Sequence, residues 1–391
     1  MKTLPIGQLE NSKILVRVPN WIGDAVMCLP ALRELRRVLP QAEMVLVGRP
    51  WVLDVFPLDE LRCRTLSYDT RREQRGLLGR WRFASKLRKE KFAAAILFQN
   101  AFDAALLATM AGIPVRAGYS RQARGMLLTD AVAVPQKGET PPHESYYYLE
   151  LLRRLGLISA LGEVEEIRLG AAARNETHAK NALREFLLEK FSSDRGLAER
   201  ISNATLVVGI GAGASFGTAK RWPGERYSEL ALRLNRELGA ASVFFGSSEE
   251  APLAESLLAK SGDAAISLAG QTSLRDFIRL VPSCDLFLTN DTGTMHVAAA
   301  LGVPTLAIFG PTDEHGTRPL GPHAEVITGV AECRPCKLRH CPIDRGSPLN
   351  HVCMTSITVD VVFEAARRIL GQRGGPKEAV AQRGLRTGIL E

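Results

Sequence analysis

Thr205-Leu206-Val207-Val208-Gly209-Ile210-Gly211-Ala212-Gly213-Ala214-Ser215-Phe216-Gly217-Thr218-Ala219-Lys220-Arg221-Trp222-Pro223 reads as an apolar strand, a glycine-rich loop and a proline that opens a helix. Small residues in such a loop let backbone N–H groups approach an anion. A dinucleotide fingerprint would open its helix inside the glycine run. Here Lys220 and Arg221 intervene, and Pro223 is expected as the first helical residue. The loop is therefore long and ends in two cations, which suits a diphosphate held as a leaving group and argues against a nucleotide-dependent oxidoreductase. Cations are unfavourable beside the positive end of a helix dipole, so a negative group is expected to offset them.

Downstream of this loop, strand-like runs at 241–245, 265–268, 285–289 and 305–309 alternate with helical patterns, and a last helix is expected over 359–370. Upstream, the run 13–18 reads as a buried strand, followed by a loop, a helix to about residue 39 and a second strand at 44–47. The pattern recurs with a strand at 93–98 and helices at 104–111 and 146–155. A chain of 391 residues exceeds what one core ordinarily organises. The reading is α/β, with two doubly wound, Rossmann-like lobes facing a central cleft, the GT-B layout. The expected division is 1–180, 181–371 and a flexible tail over 372–391, rich in Gly and charge.

Three further groups stand where α/β folds bind ligands, or cluster by residue type. Pro19-Asn20-Trp21-Ile22-Gly23-Asp24 follows the first strand. Asp24 there reads either as a helix cap or as a group that does chemistry, and Gly23 lets the backbone approach a sugar. Thr289-Asn290-Asp291-Thr292-Gly293-Thr294-Met295-His296 lies between an apolar strand and a helix, whose first N–H groups and dipole suit a phosphate. Asp291 as a cap and His296 as a packed histidine are the alternatives. Cys333, Cys336, Cys341 and Cys353 are loosely spaced for a structural zinc, an even choice against packed, reduced thiols. No Asp-x-Asp pair occurs, so leaving-group charge must be met by donors and cations rather than through a divalent metal.

Hydrophobic residues make up 46% and charged residues 24%, the profile of a globular protein with a large core. The start of the chain has no apolar signal segment, and 92–115 is interrupted by Gln99, Asn100 and Asp103, so no spanning helix is expected and the compartment expected is the cytoplasm. Residues 1–150 hold 22 Lys and Arg against 15 Asp and Glu, most of the net +8. A band from Arg62 through Arg64, Arg71 and Arg72 to Lys91 is either a solvated face or a surface for an anionic partner. Nucleic acid is not expected, since no aromatic interleaving or known binding motif accompanies it.

Taken together, these motifs resemble the lipopolysaccharide heptosyltransferases of glycosyltransferase family 9, over about residues 13–370. The forms of the Asn20–Asp24 and Ala219–Pro223 blocks are more similar to heptosyltransferase II members than to heptosyltransferase I members. The resemblance implies an inverting transfer of L-glycero-D-manno-heptose from ADP-heptose to the heptose/Kdo inner core, with no cofactor required for catalysis. It assigns Asp24 as base, with Lys220 assisting. It assigns donor contacts to Ser215, Lys220, Asp291, Thr292, Gly293 and His296, with Glu249 or Glu250 for the ribose. It turns Arg62, Arg64, Arg71 and Arg72 toward a Kdo-lipid A acceptor at the cytoplasmic face of the inner membrane. Thr218 stands where Pro is usual in the family and Thr292 where Ser is common, and the cysteine-rich insert is present in only some members. The rival readings are the same fold using another nucleotide sugar or surface glycan, and a binding module indifferent to loss of Asp24.

Overall fold

The computed structural model describes residues 6–170, 176–214 and 216–374. Ser215 and the segment from 375 onward, including most of the expected tail, lie outside the described residues.

The first lobe is built on six strands, β1 (Lys13–Arg17), β2 (Glu43–Gly48), β3 (Cys63–Ser67), β4 (Ala94–Leu97), β5 (Val115–Tyr119) and β6 (Asp130–Val132). All pair in parallel, in the order β3-β2-β1-β4-β5-β6. The central strand β1 is buried from Ile14 onward, which its Ile-Leu-Val run requires in a sheet covered on both faces. The second lobe repeats the plan with β7 (Val207–Gly211), β8 (Ala241–Phe244), β9 (Ala265–Ser267), β10 (Leu286–Asn290), β11 (Thr305–Phe309) and β12 (Ala324–Thr328). Its order, β12-β11-β10-β7-β8-β9, is the first lobe's topology again. In each lobe the winding reverses beside the first strand, between β1 and β4 and between β7 and β10. Ligands bind at such switch points, beyond the carboxyl ends of the strands.

Helices cover both sheets. Those that position the site are α1 (Ile22–Met27) and α2 (Leu29–Val38) after β1, α3 (Gly76–Lys89), α4 (Phe102–Met110) and α5 (Glu144–Arg154) in the first lobe. The connection carries α6 (Glu176–Lys190) and α7 (Arg195–Ser202), and Leu169 N–H donates to Ala300 O at 2.7 Å, so the crossing chain is already tied to the second lobe there. The second lobe adds α8 (Gly224–Leu238), α9 (Ala251–Ser261), α10 (Leu274–Leu280), α11 (Gly293–Ala300) and α12 (Val359–Gly374). Pro223 is the residue before α8 rather than its first, a shift of one position at a helix boundary. Trp222 is fully buried beneath this start, its indole N–H donating to Ile357 O at 2.8 Å and its ring edge-on to Tyr227. One apolar core runs from the first lobe through α6 and α7 into the second, and another fills the second lobe around β7, α8 and α12. Among the described residues no helix is long and apolar enough to cross a membrane.

Candidate active site between the lobes

The loop after β1 is shaped by Arg17, a buried guanidinium that donates to Val18 O, Val47 O and Asn20 Oδ1 at 2.9, 3.0 and 3.1 Å. Burial pulls Arg17 down to about 10, so it remains charged at neutral pH. The turn it holds leads into α1, where Trp21 is the cap residue and no side chain caps the helix. Asp24 is therefore inside the first turn, free of the capping role its type and position allowed. Burial pushes its carboxyl up to about 6, with the Lys220 charge drawing it back down. Lys220 belongs to the other lobe, so Asp24 looks across to the glycine loop.

On that side Lys220 Nζ pairs with Asp291 Oδ2 at 2.5 Å, and Thr312 Oγ1 donates to the same oxygen at 2.6 Å. Asp291 is the negative group that offsets Lys220. It is not the cap of α11: that residue is Thr292, and no side chain caps the helix. The first N–H groups of α11 are thus left for something else. Thr292 Oγ1 lies 3.2 Å from Thr289 Oγ1 and 2.8 Å from Thr294 Oγ1. His296 is buried, and desolvation lowers its pKa to about 4, which keeps the ring neutral against Gly23.

Asn290 joins the two switch-point segments. Its amide donates to Ala212 O and Gly213 O at 2.9 and 3.1 Å, while its oxygen accepts from Trp222 N–H and Tyr227 O–H at 3.0 and 2.8 Å. Glu250, not Glu249, reaches the glycine loop, its carboxylate occupying the space where a side chain on Gly213 would stand. Glu250 Oε2 also accepts from Ser247 N–H at 2.9 Å, whereas Glu249 is exposed. Glu144, at the start of α5, is pushed up to about 7 by burial and by the Asp24 charge, with Arg121 and Lys337 opposing. Sequence reasoning gave no role to Asn290, Thr312 or Glu144, because their partners come from distant segments.

The structure divides the expected acceptor arginines. Arg71 and Arg72 follow the carboxyl end of β3, at the edge of the sheet from which Asp24 also emerges. Arg62 and Arg64 stand at the opposite edge, where the strands begin, and are not brought to the site. Arg64 is bound there to Glu43 and Glu90 at 2.9 and 2.5 Å, with Lys13 on the same two carboxylates. Parallel strands send their amino ends one way, so residues near in sequence but at opposite ends of β3 face opposite sides.

At the cysteines, where zinc and packed thiols were equal choices, the described residues give zinc no support. Among the described residues no three His, Cys, Asp or Glu side chains are gathered as a metal-binding group. All four thiols are free, with Cys333 exposed and Cys353 buried, where burial and then the neighbouring thiols push it up to about 11. The insert that carries them instead packs on the glycine loop: Ala219 N–H donates to Arg339 O at 3.1 Å, and Thr218 Oγ1 lies 3.1 Å from His340 Nδ1.

Comparison with known proteins points to one family. Residues 80–345 match the model of glycosyltransferase family 9 (heptosyltransferase). The chain is 29% identical over 93% of its length to lipopolysaccharide heptosyltransferase 2 of Salmonella typhimurium, covering 99% of that protein. It is 31% identical over 81% of its length to the Escherichia coli protein of the same name, covering 87% of it. Among solved structures, that of E. coli ADP-heptose LPS heptosyltransferase II superposes with a TM-score of 0.71 at 27% identity, over 93% of this chain and all of that one.

Proposed function

The chain belongs to glycosyltransferase family 9, and from that premise we propose that it transfers L-glycero-D-manno-heptose from ADP-heptose to the heptose/Kdo inner core of lipopolysaccharide by a single inverting displacement. The observation that carries the reading is the division of labour across the cleft. One carboxylate, Asp24, sits on the first lobe with its pKa raised to about 6. Facing it, the second lobe offers a glycine loop, Lys220 and the uncapped start of α11.

In the reaction the acceptor hydroxyl oxygen attacks the anomeric carbon while Asp24 takes its proton. The bond from that carbon to the β-phosphate oxygen breaks, and ADP leaves with the electron pair. A carboxylate with a pKa near 6 is ionised at neutral pH yet basic enough to accept a proton as the bond forms. Lys220 and the first N–H groups of α11 meet the charge that grows on the diphosphate, the kind of preorganised electrostatic term that usually dominates such catalysis. Asp291 also accepts from Thr312, a partner it has apart from Lys220. Thr292, Gly293 and His296 line the same end of α11, and Ser215 is assigned to the phosphates by resemblance alone. Glu250 takes the ribose-binding part in preference to Glu249, because only its carboxylate reaches the loop.

For the acceptor, Arg71 and Arg72 are the members of the basic band on the catalytic side, suited to the anionic Kdo-lipid A at the cytoplasmic face of the inner membrane. The membrane contact is peripheral in this reading, and no nucleic acid is involved.

The test is turnover with ADP-heptose against UDP- and GDP-linked sugars on a Kdo-lipid A acceptor carrying one heptose, with the product's anomeric configuration read by NMR. ADP-heptose alone is expected to react, with inversion. No turnover of ADP-heptose, or a product of retained configuration, sinks the reading.

A further inference from the structure

The cysteine-rich insert has no part in the reaction as derived above, yet it is fastened to the donor loop. Arg334 anchors it from beneath, donating to Gly310 O and Gly329 O at 2.5 and 3.0 Å and pairing with Glu314 at 2.9 Å. Lys337 N–H donates to Pro311 O at 2.7 Å. Arg339 O then accepts from Ala219 N–H at 3.1 Å and fills the space where a side chain on Gly217 would stand. Gly217 is thus small because the insert's backbone comes against it. The consequence is that Arg339 is held in register with the loop that ends in Lys220.

Its side chain shares a ring with that lysine. The Arg339 guanidinium carbon lies 4.9 Å from the centroid of Phe216, and Lys220 Nζ lies 4.8 Å from the same centroid. An aromatic face attracts each cation, but two like charges on one ring repel each other. Only Lys220 has a carboxylate beside it. Among the described residues Arg339 has no ion pair, and both it and Phe216 are exposed. Of the two cations on this ring, Arg339 is the one left without a carboxylate, a planar, multidentate group at the mouth of the glycine loop.

We propose that Arg339, carried in by the insert, is a diphosphate-binding residue: it binds the nucleotide's phosphates together with Lys220, and Phe216 fixes the spacing of the two cations. The ligand class is a nucleoside diphosphate, bare or sugar-linked. A guanidinium suits this because its fork can bind two phosphate oxygens at once. Lys220, shared with Asp291, supplies only part of the charge needed when ADP departs, and Arg339 supplies the remainder. The inference rests on the donor-site reading above.

Calorimetric titration of the full chain with ADP and with adenosine tests it, using wild type, Arg339→Ala, Arg339→Gln and Arg339→Lys. All three variants keep the backbone carbonyl that holds Ala219. ADP affinity is expected to fall about tenfold or more in Arg339→Ala and Arg339→Gln and to recover in part in Arg339→Lys, while adenosine affinity stays within about twofold. The kcat/KM for ADP-heptose should fall in parallel, with the acceptor KM unchanged. An ADP affinity that holds within twofold in both neutral variants overturns the proposal. So does an equal loss for adenosine, which marks a collapsed loop, or a loss confined to the acceptor KM. A wild-type chain that fails to bind ADP overturns the donor-site reading itself, a result separate from any of these.

Discussion

Two influences act against each other at Asp24. Burial favours its neutral form, and the Lys220 charge favours the ionised one, leaving a pKa near 6 where an ordinary carboxyl has about 4. With Asp24 as the proposed base, which must be ionised to act, kcat/KM is expected to fall tenfold per pH unit below about pH 6 and to level off above it. A pH–rate profile checks this. Asp24→Asn should abolish transfer while leaving ADP affinity unchanged. The same shift has a stability consequence of definite sign. The unfolded chain loses this proton near pH 4 and the folded chain only near pH 6, so ionisation favours unfolding across that window and the full cost is present above it. Asp24→Asn should therefore raise stability at pH 7.5 by on the order of 1–3 kcal/mol, with the gain gone at pH 4. Urea denaturation at the two pH values measures it; an equal effect at both would mean that the carboxyl is not shifted.

At the scale of elements, the loops act because two strands of the second lobe are stapled at their ends by Asn290. It satisfies two loop carbonyls and accepts from two donors, all near the β7–β10 switch point. Asn290→Ala leaves buried polar groups without partners, at a cost of about 2–4 kcal/mol. The glycine loop loosens with it, so weaker ADP binding should accompany the lower urea midpoint, and Asn290→Asp, whose second oxygen would face the Ala212 and Gly213 carbonyls with no N–H to donate, should be no milder. Strands were legible from their apolar runs: 13–18 and 305–309 are β1 and β11 to within a residue. Motifs were legible as loops at strand ends. Asn290's bonds were not, because its partners lie 63 to 78 residues away and no local pattern marks them. Nor was the division of the basic band, since Arg64 and Arg71 differ by the direction of one strand, which only the parallel sheet determines. The doubled topology explains why site residues come from loops that look alike in sequence. Each lobe places a glycine-containing turn beyond its first strand, and the two lobes put different chemistry there.

For the whole molecule the critical dimension is the distance across the cleft, and two glycines help to set it. A Cβ on Gly293 would lie 2.8 Å from Ile22 Cβ and 3.1 Å from Gly23 N, and one on Gly23 would lie 3.1 Å from His296 Cδ2. Helices α1 and α11 therefore meet backbone to backbone, which brings the helix that carries Asp24 against the uncapped start of the other. His143 Nε2, 3.0 Å from Arg318 O, and the Arg275–Asp54 pair at 2.9 Å bridge the lobes elsewhere. Gly23→Ala tests the approach of the lobes with no substitution in the proposed donor cradle, which it meets at the His296 ring. Its methyl group forces His296 or the lobes to give by a few tenths of an ångström, and a small misplacement of a base costs far more in rate than in stability. The expected outcome is kcat lower by on the order of tenfold, ADP affinity within about twofold of wild type, and a further loss of kcat for the bulkier Gly23→Val. If the variants lose ADP affinity in proportion to kcat, Gly23 serves the donor cradle rather than the approach of the lobes.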